Sequence, residues 1–318
     1  MVRLITLPLG AAALLALALT TYQVSPVSSS SLPVELSVRD APHRFPPSAQ
    51  TLPRALREAN VVYLGETHNQ PDDHAAQLSI IQKLYRENPN LAIAMEMFQR
   101  PFQPVIDSYL AGQISAAELR RQSEYDQRWG YPWSYYEPIL EFAKLRGVPV
   151  LAANTPAEIT QQVAREGLEG LAEDDFQWIP PVSEIRTDND AYREWIRQVY
   201  DGHGAHGSSR NFDNFFLAQV LWDETMAESV AQFLVDNPTH QVIVLAGQGH
   251  IMYGYGIPSR VTRRVEADSQ WKGQFSQATV LLNPSQESRD RRESEDGEAI
   301  ADYFWFHAAP EQESRREL

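Results

Sequence analysis

Four short apolar runs that end in polar residues constrain the fold of this chain more than any other feature. The runs are VVYLGE (61–66), LAIAMEM (91–97), VPVLAAN (148–154) and QVIVLAGQGH (241–250). Runs of this length, rich in Val, Ile, Leu and Ala, are typical of strands buried on both faces of a parallel sheet. Since helical segments separate them, we predict an α/β fold with a mostly parallel central sheet flanked by helices.

The segments between these runs are predicted to be largely helical. Residues 72–87 form one predicted helix, and another begins at Pro156. The spacers 98–147 and 168–236 are too long for simple crossovers, and the second contains a long predicted helix at 212–236. We therefore expect helical insertions over the C-terminal ends of the strands.

Composition along the chain suggests five successive parts. They are a signal peptide or N-terminal anchor at 1–20, a Pro- and Ser-rich linker at 21–53, an α/β domain at 54–284, a charged loop at 285–298, and a final strand with a tail at 299–318. A short strand is expected near Val34–Val38. The runs ATVLLNP (278–284) and DYFWFH (302–307) are expected to be edge strands on either side of the charged loop.

The first 20 residues carry a single charge, Arg3, followed by an apolar run. This pattern is typical of a secretory signal peptide, with a candidate cleavage signal at Ala16-Leu17-Ala18. The run is also close to the length of a membrane-spanning helix, so an uncleaved anchor is the alternative and the only membrane contact expected. We predict export to the periplasm or cell envelope.

Charge and cysteine content exclude several classes of function. The formal net charge of −15 argues against nucleic-acid partners, because a polyanion needs a basic surface. The chain has no cysteine, which excludes lipid attachment through cysteine, Cys-ligated zinc, iron–sulfur clusters and cysteine nucleophiles. A haem, a small molecule or a peptide stays open as the ligand.

Polar residues follow all four predicted strands. Glu66 and His68 follow the first, Glu96 ends the second, Asn154 ends the third and His250 ends the fourth. The C-terminal ends of parallel strands share one rim, where ligands of open α/β sheets bind. Two G-x-x-H motifs, Gly65–His68 and Gly247–His250, thus place their histidines in one candidate site.

Two predicted helices add polar side chains to this site. His74 lies in the first turn after the first strand, near the rim. In the long helix, Gln219 and Asp223 fall within an apolar stripe, and a buried carboxylate needs a partner. The alternative to a role in the site is a salt bridge from Asp223 to Arg128 or Arg210.

Histidine and carboxylate ligands together suit a divalent metal such as zinc, manganese or cobalt. On this interpretation Glu66 is a ligand or a general base acting on metal-bound water. The predicted metal ligands are Glu66, His68, His74 and His250, and the predicted catalytic residues are Glu66, His68, Glu96 and His250.

The segment 124–140 is rich in tyrosine and tryptophan. It is either the core of the helical insertion or an apolar wall for a flat ligand such as haem, whose iron tyrosine and histidine can both bind. Arg128 could pair with Asp223 or with a ligand carboxylate. The candidate cofactor-binding residues are Arg128, Tyr131, Tyr136 and His250. His203 and His206 lie in a Gly-rich stretch that is predicted to be a solvated loop.

Several blocks resemble the ChaN-like haem-binding family of the Tiki/TraB superfamily. They include VVYLGETHNQPDDHAAQ, AIAMEMFQRPFQ, YDQRWGYPWSYYEPILEFAKLRGVPVLAAN, NFDNFFLAQVLWDETMAESVAQFL and VLAGQGHIMYGYGIPSRV, within residues 60–265. The resemblance implies an α/β fold with a helical insertion, an envelope location, haem or iron uptake, and a homodimer. Characterised members are lipoproteins, from which this chain departs because it has no lipobox cysteine.

The same superfamily includes Tiki proteins, which resemble this chain in their G-x-x-H motifs and are metal-dependent proteases. By motif match, that resemblance carries over to Gly65, Glu66, His68, Gly247 and His250. The resemblance does not single out one tyrosine as the haem ligand. Two functions are therefore expected: a haem-binding protein of the envelope or, alternatively, a metal-dependent hydrolase.

Overall fold

The computed structural model describes residues 43–45, 52–202, 211–291, 293–294 and 297–306. Its seven strands form one sheet in the order β1-β7-β6-β2-β5-β3-β4, and every ladder is parallel. The strands are β1 (His43–Phe45), β2 (Val61–Glu66), β3 (Leu91–Gln99), β4 (Val150–Asn154), β5 (Gln241–Gly247), β6 (Gln277–Leu282) and β7 (Tyr303–Trp305). The predicted mostly parallel sheet is confirmed.

Eleven α-helices occur among the described residues. They are α1 (Arg54–Glu58), α2 (Pro71–Glu87), α3 (Gln103–Leu110), α4 (Ala116–Gln122), α5 (Tyr125–Arg128), α6 (Trp133–Arg146), α7 (Ala157–Glu166), α8 (Asp190–Gly202), α9 (Phe212–Asp236), α10 (Ile257–Val265) and α11 (Gln286–Asp290). Pro71 opens α2, and the Asn211 side chain caps α9 through the backbone N–H of Asp213. No described helix is both long and apolar enough to span a membrane.

Both faces of the sheet are covered, which explains why its central strands are apolar throughout. Every residue of β2, β3 and β5 is buried. On one face, Val62 and Leu64 pack with the cluster that includes Ile80 of α2. On the other face, Val61 and Tyr63 pack with α8, α9 and α10. Alternate residues of each strand therefore serve two separate cores.

The two long spacers form the predicted helical insertions. Residues 98–147 contain α3 to α6, and residues 168–236 contain α8 and α9 together with short 3₁₀ turns. Tyr136 of α6 reaches Glu66 at the end of β2. Tyr192 of α8 and Asp223 of α9 bond to each other beside His250. The insertions thus lie over the C-terminal ends of the strands.

The outer strands differ from the sequence prediction. β6, expected at an edge, lies between β7 and β2, and β7 is covered by β1. The edges are instead β1 and β4. β1 comes from the segment predicted as a linker, and α11 occupies part of the predicted charged loop. The predicted signal segment, the strand near Val34–Val38 and the loop with His203 and His206 lie outside the described residues.

Candidate functional site

Four predicted site residues meet at one rim of the sheet. Glu66 is the last residue of β2, Asn154 is the last of β4, and Glu96 lies within β3. His250 ends a 3₁₀ turn that directly follows β5. All four residues are more than nine-tenths buried. The charges of Glu66, Glu96 and His250 therefore interact with little screening by solvent.

An irregularity in β3 helps to position Glu96. The ladder between β3 and β4 shifts register between Met95 and Gln99. Such a shift redirects side chains at the end of a strand. The Asn154 amide donates to the Glu96 carbonyl oxygen at 2.9 Å. Asn154 therefore stabilises the irregular backbone of β3. Within the described chain, its side chain forms no hydrogen bond with His68, His74 or His250.

The Glu66 carboxylate is surrounded by hydrogen-bond donors. Its Oε1 lies 2.8 Å from His68 Nδ1 and also accepts the Tyr136 hydroxyl. Its Oε2 accepts from Gln77 Nε2 at 2.6 Å and lies 3.5 Å from His74 Nδ1. Burial raises the pKa of the Glu66 carboxyl, but His68 and His74 outweigh burial and hold it well below its ordinary value. Glu66 is therefore an anion that orients its neighbours.

His74 is engaged through both ring nitrogens. Its Nε2 lies 3.1 Å from the carbonyl oxygen of His68, which can only accept a hydrogen bond. Its Nδ1 faces Glu66 and Gln77, and its ring stacks on Tyr135 at 4.6 Å. Burial lowers the pKa of His74, but Glu66 raises it further, so the net shift is upward. Acceptors at both nitrogens favour the imidazolium form.

A second carboxylate–histidine pair lies across the rim. His250 Nδ1 lies 2.7 Å from Asp223 Oδ1 and 3.1 Å from Gln219 Nε2. The other Asp223 oxygen accepts the Tyr192 hydroxyl at 2.5 Å. Asp223 is fully buried, and these partners provide the compensation that a buried charge needs. Asp223 is therefore held within the site, without contact to Arg128.

Glu96 lies between the two histidines. Its Oε1 is 3.5 Å from His250 Nε2 and 4.0 Å from His68 Nε2, while its Oε2 accepts the Gly247 backbone N–H at 2.7 Å. Burial raises the pKa of Glu96, but His250 and His68 lower it below its ordinary value. Each histidine thus has its own carboxylate at Nδ1 and shares Glu96 at Nε2.

The glycines of the two motifs create space for this close approach. A Cβ atom at Gly247 would lie 3.0 Å from His68 Nε2. A Cβ atom at Gly65 would lie 2.9 Å from Leu281 and 3.4 Å from the Gln248 backbone. The Gly247 position therefore admits the histidine of the first motif, and the Gly65 position admits the Leu281 side chain of β6.

Protonation of His250 is strongly favoured in the folded state. Burial lowers its pKa, but Glu96 and Asp223 raise it more, to about 10. Burial likewise lowers the pKa of His68, and Glu96 and Glu66 raise it above its ordinary value. His250 is therefore cationic at neutral pH, and the carboxylates beside His68 favour its protonated form.

Stability is expected to depend on pH through His250. Its folded pKa exceeds the ordinary 6.5, so its contribution is complete below about pH 6.5 and is lost as pH rises to about 10. The loss is on the order of 4 kcal/mol at 1.36 kcal/mol per pKa unit. Urea unfolding at pH 6 and pH 10 measures it, with His250→Gln as the reference. Equal pH dependence in both proteins would rule out this contribution.

A cavity of about 40 Å³ lies beside His68, Glu96 and His250. Its volume accommodates about one molecule of the size of water, which occupies roughly 30 Å³ in the liquid. Thr155 Oγ1 and Trp129 Nε1 belong to its lining and are buried, and within the described chain neither has a hydrogen-bond partner. The cavity therefore offers unpaired polar atoms to a small guest.

The aromatic segment 124–140 covers the same cavity. Trp129 contacts His68 edge-on at 4.8 Å, and Tyr131 lies 5.0 Å from the same ring. Tyr136 is fully buried and donates to Glu66, whereas Tyr131 is only half-buried. Part of the segment thus belongs to the core of the helical insertion, and part of it forms the wall of the site. Both interpretations of its sequence, as core and as wall, apply.

Arg128 borders the cavity, but the structure contradicts a pairing with Asp223. Its guanidinium donates to Glu124 at 2.9 Å, to Glu158 at 2.9 Å and to Gln99 at 2.7 Å. These partners lie on the outer side of the site, where Arg128 is still partly exposed. The other suggested partner of Asp223, Arg210, lies outside the described residues.

The structure brings most of the predicted site residues together. The buried network consists of Glu66, His68, His74, Glu96, Asn154, Gln219, Asp223 and His250, with Gly65 and Gly247 as spacers. Sequence reasoning missed Tyr192, Thr155 and Gln77. Tyr192 lies four residues before buried Ile196 on α8, and this apolar spacing is the one signal for its inward position.

The predicted metal site is not formed by this arrangement. Across the described ranges, no group of three or more His, Asp or Glu side chains is placed to hold a metal ion. The ligands predicted from sequence were Glu66, His68, His74 and His250. The Glu66 oxygens already accept several donors, and the Nδ1 atoms of His68 and His250 face their own carboxylates.

These features define a class of α/β protein with two carboxylate-bound histidines around one shared glutamate. The sequence model of a family described as haem-binding uptake, Tiki superfamily, ChaN matches residues 52–261. The chain belongs to this family. The match includes β2 to β5 and hence every residue of the buried network.

Two further comparisons give similar proteins. The solved structure "Cofacial heme binding to ChaN of Campylobacter jejuni" has a TM-score of 0.55 and 20% identity, covering 73% of this chain and 84% of that chain. This likeness shows the fold. Protein RETICULATA-RELATED 5, chloroplastic, from Arabidopsis thaliana is 28% identical over 275 residues, which cover 80% of this chain but only 35% of that protein. The chain thus spans about a third of that relative.

Proposed function

We propose that this protein binds haem and acts in the uptake or handling of haem iron. Tyr131 is the observation that carries the proposal. It is half-buried, its ring lies 5.0 Å from the His68 ring, and its hydroxyl bonds to no residue that the structure describes. Phenolate oxygen is one of the ligands that haem iron takes in proteins. Membership of a haem-binding family supports the same conclusion.

The size of the buried cavity decides where a haem could bind. A volume of about 40 Å³ is far below the roughly 300–1,000 Å³ of pockets that enclose a small-molecule ligand. A porphyrin therefore does not fit among His68, Glu96 and His250. Two side chains that reach the surface beside the cavity do fit haem in chemistry, because Tyr131 offers a phenol and Arg128 a partly exposed guanidinium.

Two of the four cofactor residues expected from sequence are unsuitable in this arrangement. Tyr136 is fully buried and donates to Glu66, and His250 is bonded to Asp223. We assign the ligand role to Tyr131. We assign the carboxylate-binding role to Arg128, which would exchange one of its surface partners, Glu124 or Glu158, for a haem carboxylate. When bound, ferric haem would supply a Lewis-acidic iron that takes the phenolate. Burial, with Glu96 and Glu66, raises the pKa of Tyr131 to about 12, so binding would release its proton.

Haemin titration of the full chain tests this proposal. We expect a saturable change of the Soret band, with affinity that rises with pH because Tyr131 loses its proton on binding. Tyr131→Phe removes only the hydroxyl and is expected to weaken binding about tenfold or more. Tyr135→Phe is the matched control, since Tyr135 is also half-buried but stacks on His74.

Each failure of this titration has a separate meaning. No saturable binding by the wild-type protein would reject haem binding itself. Equal affinity in Tyr131→Phe would reject the ligand assignment while leaving haem binding in place. The Campylobacter ChaN structure is named for cofacial haem binding. We also propose a homodimer in which each subunit holds one of two such haems, and sedimentation of the loaded protein tests it.

We also propose that the protein is exported to the cell envelope. The proposal rests on the charged start and apolar run of residues 1–20, which lie outside the described residues. The Arabidopsis relative is named as chloroplastic, which makes an organelle the competing location. Cell fractionation with N-terminal sequencing of the mature protein distinguishes them. Recovery from the cytosol with residues 1–20 intact would reject export.

A second candidate function, hydrolysis, rests on the two histidines around Glu96. Their Nδ1 atoms are fixed by Glu66 and Asp223 while their Nε2 atoms face the cavity glutamate, which suits protonated rings that donate a proton to a leaving group. The cavity beside them is the size of a water molecule. Glu66 is buried and cannot contact a substrate, so its role in this function would be to orient His68.

Ester and peptide substrates, with and without added Zn²⁺, Mn²⁺ or Co²⁺, test hydrolysis. If it occurs, His250→Ala is expected to reduce the rate by about two orders of magnitude or more, the usual range for general acid–base catalysis. Tyr131→Phe should leave the rate unchanged. Activity that survives His250→Ala, or no activity with any metal, would reject this function and leave the haem proposal untouched.

A further inference from the structure

A second and larger cavity, of about 560 Å³, lies away from the rim. It is bordered by α8, by the turn that follows His250 and by the segment near Arg291. Its volume falls within the roughly 300–1,000 Å³ typical of small-molecule pockets. None of the residues that form the buried network lines it. It is therefore a separate place where a ligand could bind.

Aromatic rings form the inner wall of this cavity. Trp195 is half-buried, and Tyr253 packs against it at 6.3 Å in an edge-on arrangement. Tyr255 extends the wall, 5.4 Å from Tyr253. Aromatic faces carry negative electrostatic potential and attract cations, with ammonium groups as the usual ligands. The wall therefore favours an apolar ligand that carries positive charge.

Carboxylates form the outer border. Asp190 and Glu194 come from the first turns of α8, and Glu293 comes from the opposite side. The one arginine in the lining, Arg291, is paired with Glu287 at 2.9 Å, so its charge is already balanced. An anionic ligand would meet three carboxylates here. The carboxylates and the aromatic wall thus both favour a cationic ligand in this cavity.

We propose that this cavity binds a small organic cation with an alkylated or aromatic ammonium group. The ammonium would lie between the Trp195 and Tyr253 rings and the carboxylates of Asp190 and Glu194. The apolar body of the ligand would cover the aromatic wall. The proposal is independent of haem binding and of hydrolysis.

The cavity is also connected to the buried network. Trp195 stacks on Tyr192, with centroids 6.0 Å apart and planes inclined by 19°. The Tyr192 hydroxyl donates to Asp223, which holds His250. A ligand that moves Trp195 would therefore act on the His250 pair through a single intervening ring, so occupancy of the second site would influence the first.

Calorimetric titration of the full chain with choline tests the site. The control ligand is the neutral isostere of choline in which a tert-butyl group replaces the trimethylammonium group. We expect choline to bind about tenfold more tightly than the neutral compound. Trp195→Leu keeps apolar volume and should reduce choline affinity about tenfold, and Glu194→Gln about threefold. Glu173→Gln, an exposed carboxylate elsewhere, should have no effect.

NMR spectroscopy of the His250 ring tests the connection between this cavity and the buried network. At fixed pH, choline should shift the imidazole NMR signal of His250 in the wild-type protein, and Tyr192→Phe should abolish that shift while choline still binds. Equal affinity for choline and its neutral isostere, or unchanged binding in Trp195→Leu, would overturn the cation site. If Trp195→Leu fails to fold, the affinity of Glu194→Gln for choline and the comparison of choline with its neutral isostere test the cation site instead.

Discussion

Replacing Glu66 by alanine is expected to lower the free energy of unfolding by about 3–5 kcal/mol, the range for a buried ion pair that loses one partner. The reason is that Glu66 accepts from His68, Gln77 and Tyr136 and lies close to His74. Without it, buried donors lose their acceptor, and His68 and His74 lose the carboxylate beside their Nδ1 atoms. Urea denaturation followed by circular dichroism measures the change.

Two further variants separate charge from volume. Glu66→Gln keeps the shape but directs an amide NH₂ at side chains that are themselves donors, so a loss of about 1–3 kcal/mol is expected. Glu158→Gln is the control, because its ion pair with Arg128 is largely exposed and such pairs contribute about 0–1 kcal/mol. A loss below about 1 kcal/mol for Glu66→Ala would mean that the network relaxes or rehydrates freely.

Replacing Gly256 by alanine is expected to cost about 3 kcal/mol, the upper part of the range for added volume in a packed site. A Cβ atom there would lie 2.3 Å from the His250 carbonyl oxygen and 3.0 Å from Asp223 Oδ1. Backbone cannot rotate away as a flexible side chain can, so the His250–Asp223 pair must move. The expected result is a lower melting temperature and a displaced His250 imidazole signal in NMR spectra.

Gly273→Ala provides the comparison for this substitution. Nothing lies within 4 Å of a Cβ atom at Gly273, and its φ of +72° alone costs about 1 kcal/mol for alanine. The difference between the two variants therefore measures the steric clash at Gly256. If both variants lose the same stability, the contact with His250 is not the cause.

The rim of the site could be predicted from sequence because strand ends are a local signal. Apolar runs located β2 to β5, and their polar last residues identified Glu66, Glu96, Asn154 and His250 before any pairing was known. The long helix at Phe212–Asp236 was also predicted correctly from its apolar spacing. These features depend on neighbours within a few residues along the chain.

The partners inside the site could not be predicted in the same way. Tyr136 and Glu66 are 70 residues apart, and Tyr192 and Asp223 are 31 apart, so only the folded sheet brings them together. The expected Asp223–Arg128 pair failed because Arg128 lies on the outer side of the cavity. The position of β6 inside the sheet was missed because β1 and β7 are only three residues long, too short to reveal that they cover it.

The glycine of the second motif limits what the first motif can contain. A Cβ atom at Gly247 would lie 3.0 Å from His68 Nε2, so the His68 ring keeps its place only while position 247 carries no side chain. A substitution of Gly247 would therefore change which residues are tolerated at position 68, which is epistasis between two positions 179 residues apart in sequence but adjacent in space.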